Sequence, residues 1–332
     1  MHRPVSILFS ICTIFQSCAS LSIPSKRQSD PEKPSGHLLI LDKGRSNTTT
    51  GAPENWHPSI RRINTDGTSA QHVYDFPNNG DASTVLDPDS IAHDPINNYI
   101  FIGTQQGVCR LKSNGSDSAI IVQNTPARDI SVYGEKVYYI SGSPSANTVK
   151  RANFDGSNIE LVFEPKVPIN RFTVDILGNL IYWTADNGEG SLPGTISRAS
   201  LDSPSTTELL ITNLDHPSQI FSLGGYVYWI EQGPNVIRRG DFGMPGSSSI
   251  LSSVQTVVRS DQSPIFSAPD GRTFAISAFA VDEERERLWF GIVDGGEAKV
   301  VGTGVDGGDF GVVGDEARDV GIVGGLEFVR GT

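Results

Sequence analysis

Leu180-Ile181-Tyr182-Trp183-Thr184-Ala185 is a short run of aliphatic, aromatic and β-branched residues, which suits a buried strand and is too brief for a helix. The same kind of run returns as Leu39-Ile40-Leu41-Asp42, Ile100-Phe101-Ile102-Gly103, Tyr138-Tyr139-Ile140-Ser141, Tyr228-Trp229-Ile230-Glu231 and Trp289-Phe290-Gly291-Ile292. Successive copies start 38 to 61 residues apart. A second apolar run precedes five of them, at 91–94, 130–133, 172–175, 220–223 and 279–282. A third follows, starting at Ile60, Val108, Val149, Ile196, Ile237 and Val300. Four of these lead into Asp66-Gly67, Asn114-Gly115, Asp155-Gly156 or Asp306-Gly307, pairs that favour turns with positive φ. A fourth run comes after each turn.

Four short strands repeated about six times predict an all-β chain, a six-bladed propeller of four-stranded antiparallel blades. Closure is also foreseen. Asp319-Val320-Gly321-Ile322-Val323 reads as the inner strand missing before Leu39, so the chain end would complete the first blade and hide both sheet edges. Leu326-Glu327-Phe328-Val329 follows a Gly-Gly pair and competes for that place, which leaves open whether one or two C-terminal strands are used.

Composition agrees. The chain has 332 residues, 35 of them Gly and 20 Pro, and both residue types weaken helix interiors. No apolar stretch approaches the ~18 residues of a membrane-spanning helix. A net charge of −12 argues against nucleic-acid binding, which needs a basic footprint.

Residues 1–20 read as a secretory signal: Arg3, an apolar stretch from Val5 to Phe15, then Ser17-Cys18-Ala19-Ser20. Residues 21–36 form a polar linker or propeptide, in which Lys26-Arg27 is either a kexin-type trimming site or a solvated pair. The propeller is assigned to 37–332, as a secreted monomer. Signal removal leaves Cys109 alone, so no intramolecular disulfide is expected and the thiol is read as a packing group. Asn47-Thr48-Thr49 and Asn114-Gly115-Ser116 are N-glycosylation sequons.

The run Leu180-Ile181-Tyr182-Trp183-Thr184-Ala185-Asp186, together with Val149-Lys150-Arg151-Ala152-Asn153-Phe154-Asp155-Gly156, resembles the YWTD repeats of low-density-lipoprotein-receptor-type six-bladed propellers. The resemblance covers roughly residues 37–330 and is sharpest over 149–186. Ala185 stands where the family has Asp, with Asp186 one place later. The resemblance implies a rigid ligand-binding platform rather than a catalyst. Receptor function does not carry over, because the Cys-rich modules and membrane span of such receptors have no counterpart in this sequence.

Long connections at 43–59, 77–89, 186–194 and 260–273 all join strands at the same end of the blades, which marks one face for binding. Trp56, His57, Asp186, Glu189 and Glu231 are its candidate contact residues. Aligning the inner strands gives a column of Ser90, Asp129, Arg171, Gln219, Ala278 and Asp319 at the channel mouth. Asp129, Arg171, Gln219 and Asp319 are read as ligand-binding, with an Asp129–Arg171 ion pair as the structural alternative. The expected ligand is an extracellular protein or glycan, basic by complement to the acidic chain, and no cofactor is assigned. The alternative function is a metal-assisted lactonase or related hydrolase of the gluconolactonase-like propeller type. Arg171 and Ala278 are poor companions for a cation, and no metal-ligand spacing of His, Asp or Glu is found. Gly302-x-Gly304-x-x-Gly307 matches a dinucleotide pattern by letter only, since no helix follows.

Overall fold

The aromatic runs become the second strand of each blade in the computed structural model, which describes residues 36–43, 58–77, 87–175, 179–186, 193–223, 225–243, 254–261, 264–267, 271, 273–282, 285–293, 298–313 and 323–329. Blade 1 starts with β1 (His37–Asp42), β2 (Ser59–Asn64) and β3 (Gln71–Asp75). Blade 2 is β4 (Pro88–Asp94), β5 (Tyr99–Thr104), β6 (Gly107–Lys112) and β7 (Ala119–Gln123). Blade 3 is β8 (Ala127–Tyr133), β9 (Lys136–Ser143), β10 (Ala146–Asn153) and β11 (Glu160–Phe163). Blade 4 is β12 (Arg171–Asp175), β13 (Leu180–Ala185), β14 (Gly194–Ser200) and β15 (Ser203–Leu214). Blade 5 is β16 (Pro217–Leu223), β17 (Tyr226–Glu231), β18 (Val236–Asp241) and β19 (Gln255–Arg259). Blade 6 is β20 (Ala275–Asp282), β21 (Arg287–Val293), β22 (Ala298–Gly304) and β23 (Gly311–Val312). Each of these blades is antiparallel in chain order, and β24 (Val323–Val329) completes blade 1 by pairing with β1.

Among the described residues the ring is therefore closed by one C-terminal strand, the later of the two candidates. Leu326 pairs with Ile40 and Gly325 with Leu41. Both C-terminal segments have apolar β-formers beside glycines; burial of Val323, Leu326 and Val329 selects the register.

Side-chain alternation along the second strands explains why they are apolar throughout. Tyr228 packs toward blade 6 with Phe279 and Phe290, whereas its neighbour Trp229 packs toward blade 4 with Tyr182 and Ile196. Tyr138 and Tyr139 divide in the same way between blades 4 and 2. Six interblade clusters result, one for each junction, and together they are the core. Cys109 belongs to the blade 1–blade 2 cluster at 2% exposure, and burial pushes its thiol up to about 11. It is a packing group.

The Asx-Gly turns do more than reverse the chain. Asn114 Oδ1 accepts hydrogen bonds from Ser116 N (3.1 Å) and Oγ (2.7 Å), and Asp155 does the same for Ser157 at 2.9 and 2.6 Å. Gly115 (φ +83°) and Gly156 (φ +83°) sit against the backbone of the preceding blade; an added Cβ would meet Val73 O at 1.8 Å or Ile121 O at 1.9 Å. Glycine is needed there for its φ and for close docking of one blade on the last. Asparagine and glutamine side chains add interblade staples: Asn147 exchanges hydrogen bonds with the Ile169 backbone, and Asn235 binds Phe274 O and Ile276 N.

Candidate functional site

Inner strands from all six blades surround an axial cavity of about 610 Å³. At its mouth, on the face that carries the long connections, the pairing of the inner strand with its neighbour slips by a residue in β4, β8, β16, β20 and β24. Such bulges redirect side chains. In β8 the slip places Asp129 at φ +49°.

The mouth is organised by Arg171. Its guanidinium grips Asp89 two blades away, with Nη1 close to Oδ2 and Nη2 at 3.3 Å from Oδ1. Lys43 Nζ reaches the same carboxylate at 3.1 Å. Burial disfavours the Asp89 carboxylate, but the charges of Arg171 and Lys43 outweigh it and hold the pKa well below the usual range. Burial likewise opposes the Arg171 charge, and Asp89 and Asp129 more than compensate.

The Asp129–Arg171 ion pair read as the structural alternative gives way to this arrangement. Asp129 Oδ2 instead accepts the Phe172 N–H at 2.6 Å, tying blade 3 to blade 4. Burial pushes its carboxyl up to about 6, although Arg171 and the Phe172 N–H pull the other way. Gln219 is also a staple: Nε2 donates to Phe279 O at 3.1 Å and Oε1 accepts from Phe279 N at 2.8 Å. Arg128, absent from the sequence reading, lies within electrostatic range of Arg171, Asp89 and Asp129, and burial followed by the Arg171 charge lowers its pKa. Its Nε and Nη2 are buried with no hydrogen-bond partner among the described residues.

The remaining sequence candidates divide. Asp186 stands on the long-connection face, with His216 Nε2 at 4.0 Å; His216 Nδ1 is 2.6 Å from Asp215 Oδ1. The Asp215 hydrogen bond and then the Asp186 charge raise the His216 pKa. Glu231 is buried rather than presented: 4% exposed, it lies 2.6 Å from Arg238 Nε and accepts from Trp229 Nε1 and Asp215 N. Trp56, His57, Glu189, Asp319 and Asn47 lie outside the described residues. The ring position read for Asp319 is occupied by Gly325. Two further residues two places along the inner strands, Ser131 and Glu327, also line the cavity. Among the described residues no group of three or more His, Cys, Asp or Glu is placed to hold a metal ion.

A smaller cavity of about 290 Å³, at the blade 1–blade 2 junction, is lined by His37, His72, His93, Arg62 and Asn114 among others. Burial, then the charges of Arg62 and His93, lowers the His37 pKa to about 4. Burial also lowers that of His93, whose Nε2 is 3.0 Å from Ser113 Oγ. A histidine that resists protonation in the fold but accepts it when unfolded makes stability fall with acidification, here between about 6.5 and about 4. His37→Gln should remove about 2 kcal/mol of the loss between pH 7 and 4, the full shift being discounted for partial hydration. Urea unfolding of both proteins at the two pH values measures it; parallel losses would contradict the assignment.

Comparison with solved structures follows from this geometry. The chain superposes on a chain of the nidogen/laminin complex crystal structure with a TM-score of 0.64 and 13% identity, covering 89% of this chain and 98% of that one. It superposes on TolB from Acinetobacter baumannii with a TM-score of 0.63 and 11% identity, covering 89% of this chain and 66% of TolB. The fold is a six-bladed propeller. No family model matches the chain, and no curated protein matches its sequence. Among the described residues no helix is long and apolar enough to cross a membrane.

Proposed function

We propose that this propeller is a secreted, non-enzymatic binding protein that docks an extracellular protein through its long-connection face, with an acidic group of that partner seated at the channel mouth. The observation that carries the reading is Arg128, whose buried Nε and Nη2 have no acceptor among the described residues. Buried donors without partners are costly, and a carboxylate arriving with the ligand would satisfy them. Among the described residues Lys43, Arg128 and Arg171 outnumber the carboxylates of Asp89 and Asp129 with which they interact, a cationic cluster on an acidic chain. The complement at the centre is thus acidic, while the surrounding acidic surplus still suits basic residues at the partner's rim. The nidogen/laminin complex, which shares the fold, is itself an assembly of two proteins, and this supports a protein partner. Asn114 lies on a turn at the opposite end of the blades, so a glycan there would leave the docking face open.

Capture from extracellular extract on immobilised wild type and Arg128→Gln tests the reading. The expected result is a saturable protein partner whose retention falls at least tenfold with the variant, and which weakens as salt rises. Equal retention by both would overturn it. A stoichiometric divalent ion in the purified protein would favour the hydrolase alternative instead.

A further inference from the structure

The apolar cluster between blades 1 and 2 ends in a polar cavity. Along each strand toward the end away from the long connections, the side facing this junction changes character within two residues. Leu39 gives way to His37 in β1, Ile60 to Arg62 in β2, Ile91 to His93 in β4 and Leu111 to Ser113 just past β6. The register agrees, since Arg62 stands opposite Leu39 on one side and Gln71 on the other. All of these polar side chains line the cavity of about 290 Å³.

Two of the lining groups are uncommitted. Half-buried His37 and exposed Arg62 have no hydrogen bond or ion pair among the described residues. His93 is held behind them by Ser113 Oγ at 3.0 Å and by Asn98, while His72 turns to Asp75 at 3.4 Å. Arg62 and His93 both act electrostatically on His37, so three groups able to carry positive charge converge. Among the described residues no carboxylate lines the cavity, on a chain with 38 acidic against 26 basic residues. Neutral amides would solvate the end of an apolar core equally well, so this gathering of basic groups calls for an acceptor. Arg62 opposes a cation, and among the described residues no group is placed to hold a metal ion. An oxyanion fits: the guanidinium offers a fork of N–H donors and a protonated imidazole adds another. The volume lies just below the usual range for small-molecule sites, which suits a compact anion.

We propose that the cavity at the blade 1–blade 2 junction binds a tetrahedral oxyanion, a sulfate or phosphate group, on Arg62 and His37. The site lies at the end of the blades away from the channel mouth and does not depend on docking there. The charged and titratable groups around His37 are Arg62, His72 and His93, with Asp75 beside His72 and Asp94 beside His93. His37 is neutral in the free protein at pH 7, and a bound anion favours its protonated form. Binding therefore takes up a proton and strengthens as pH falls.

Calorimetric titration of the purified full chain with sodium sulfate, sodium phosphate and N-acetylglucosamine 6-sulfate, at constant ionic strength in chloride, tests the proposal. Saturable one-to-one binding of sulfate is expected, strengthening at least threefold from pH 7.5 to 5.5, a range over which sulfate keeps its own charge. Tighter binding of the ester would assign the site to the sulfate of a glycan, and equal affinity to the free anion. Arg62→Gln should weaken sulfate binding at least fivefold with an unchanged melting temperature in chloride alone, since Arg62 is exposed and unpaired among the described residues. His37→Gln should flatten the pH dependence. Absence of saturable binding by all three anions, unchanged affinity in Arg62→Gln, or binding lost in Arg128→Gln instead would each overturn it.

Discussion

A chain ending at residue 322 should lose its cooperative unfolding transition and aggregate. Seven residues are removed from blade 1, and with them β24, the hydrogen-bonded partner of β1 on its axial side. Leu38, Leu39, Ile40 and Leu41, all fully buried, would then lie beside an open sheet edge. The facing surface of blade 6 loses its cover as well, since Trp289 stacks on Phe328 at 5.1 Å. Val323, Leu326, Phe328 and Val329 contribute about 1.5–3 kcal/mol each by burial. Their sum rivals the whole net stability of a folded domain, roughly 5–15 kcal/mol. Thermal melts followed by circular dichroism, with size-exclusion chromatography, measure the outcome. A soluble truncation with a sharp transition would show that five complete blades hold the ring without closure.

Glu231→Ala should be almost as damaging, though the residue looks from its charge like a surface group. It leaves the Arg238 guanidinium without its ion-pair partner and the Trp229 indole N–H and Asp215 N–H without their acceptor, at a site with 4% exposure. Arg238 is one-third exposed, so the loss should fall below the about 3–5 kcal/mol of a fully buried pair while staying well above the less than about 0.5 kcal/mol of an ordinary surface substitution. Glu231→Gln keeps an acceptor for the indole and should cost less, about 1–2 kcal/mol. Denaturant unfolding of the three proteins separates the cases. A near-neutral Glu231→Ala would return the residue to the binding face.

The blades were legible because their information is local. The aromatic runs, the Asx-Gly turns and the spacing between them are visible in any linear reading, and each has a single physical interpretation. Register across the ring is not local. Asp319–Val323 and Leu326–Val329 are equally strand-like, and only packing against Ile91 and Trp289 distinguishes them. Aligning Asp319 with the inner strands put it where the structure has Gly325. Polar residues were harder still. Asp129 and Gln219 stand in the inner strands where the alignment put them and also bond a neighbouring backbone, a use that composition does not distinguish from awaiting a ligand. Asp89, at the start of β4 beside a long connection, gave no signal until Arg171 was seen to reach across blade 3.

The pairing of His37 with Val329 also sets how the molecule can be held. Both ends of the ring-forming chain leave from one point, at the end of the blades away from the long connections. A tether or solid support joined at His37 or Val329 itself would therefore leave the channel mouth turned outward.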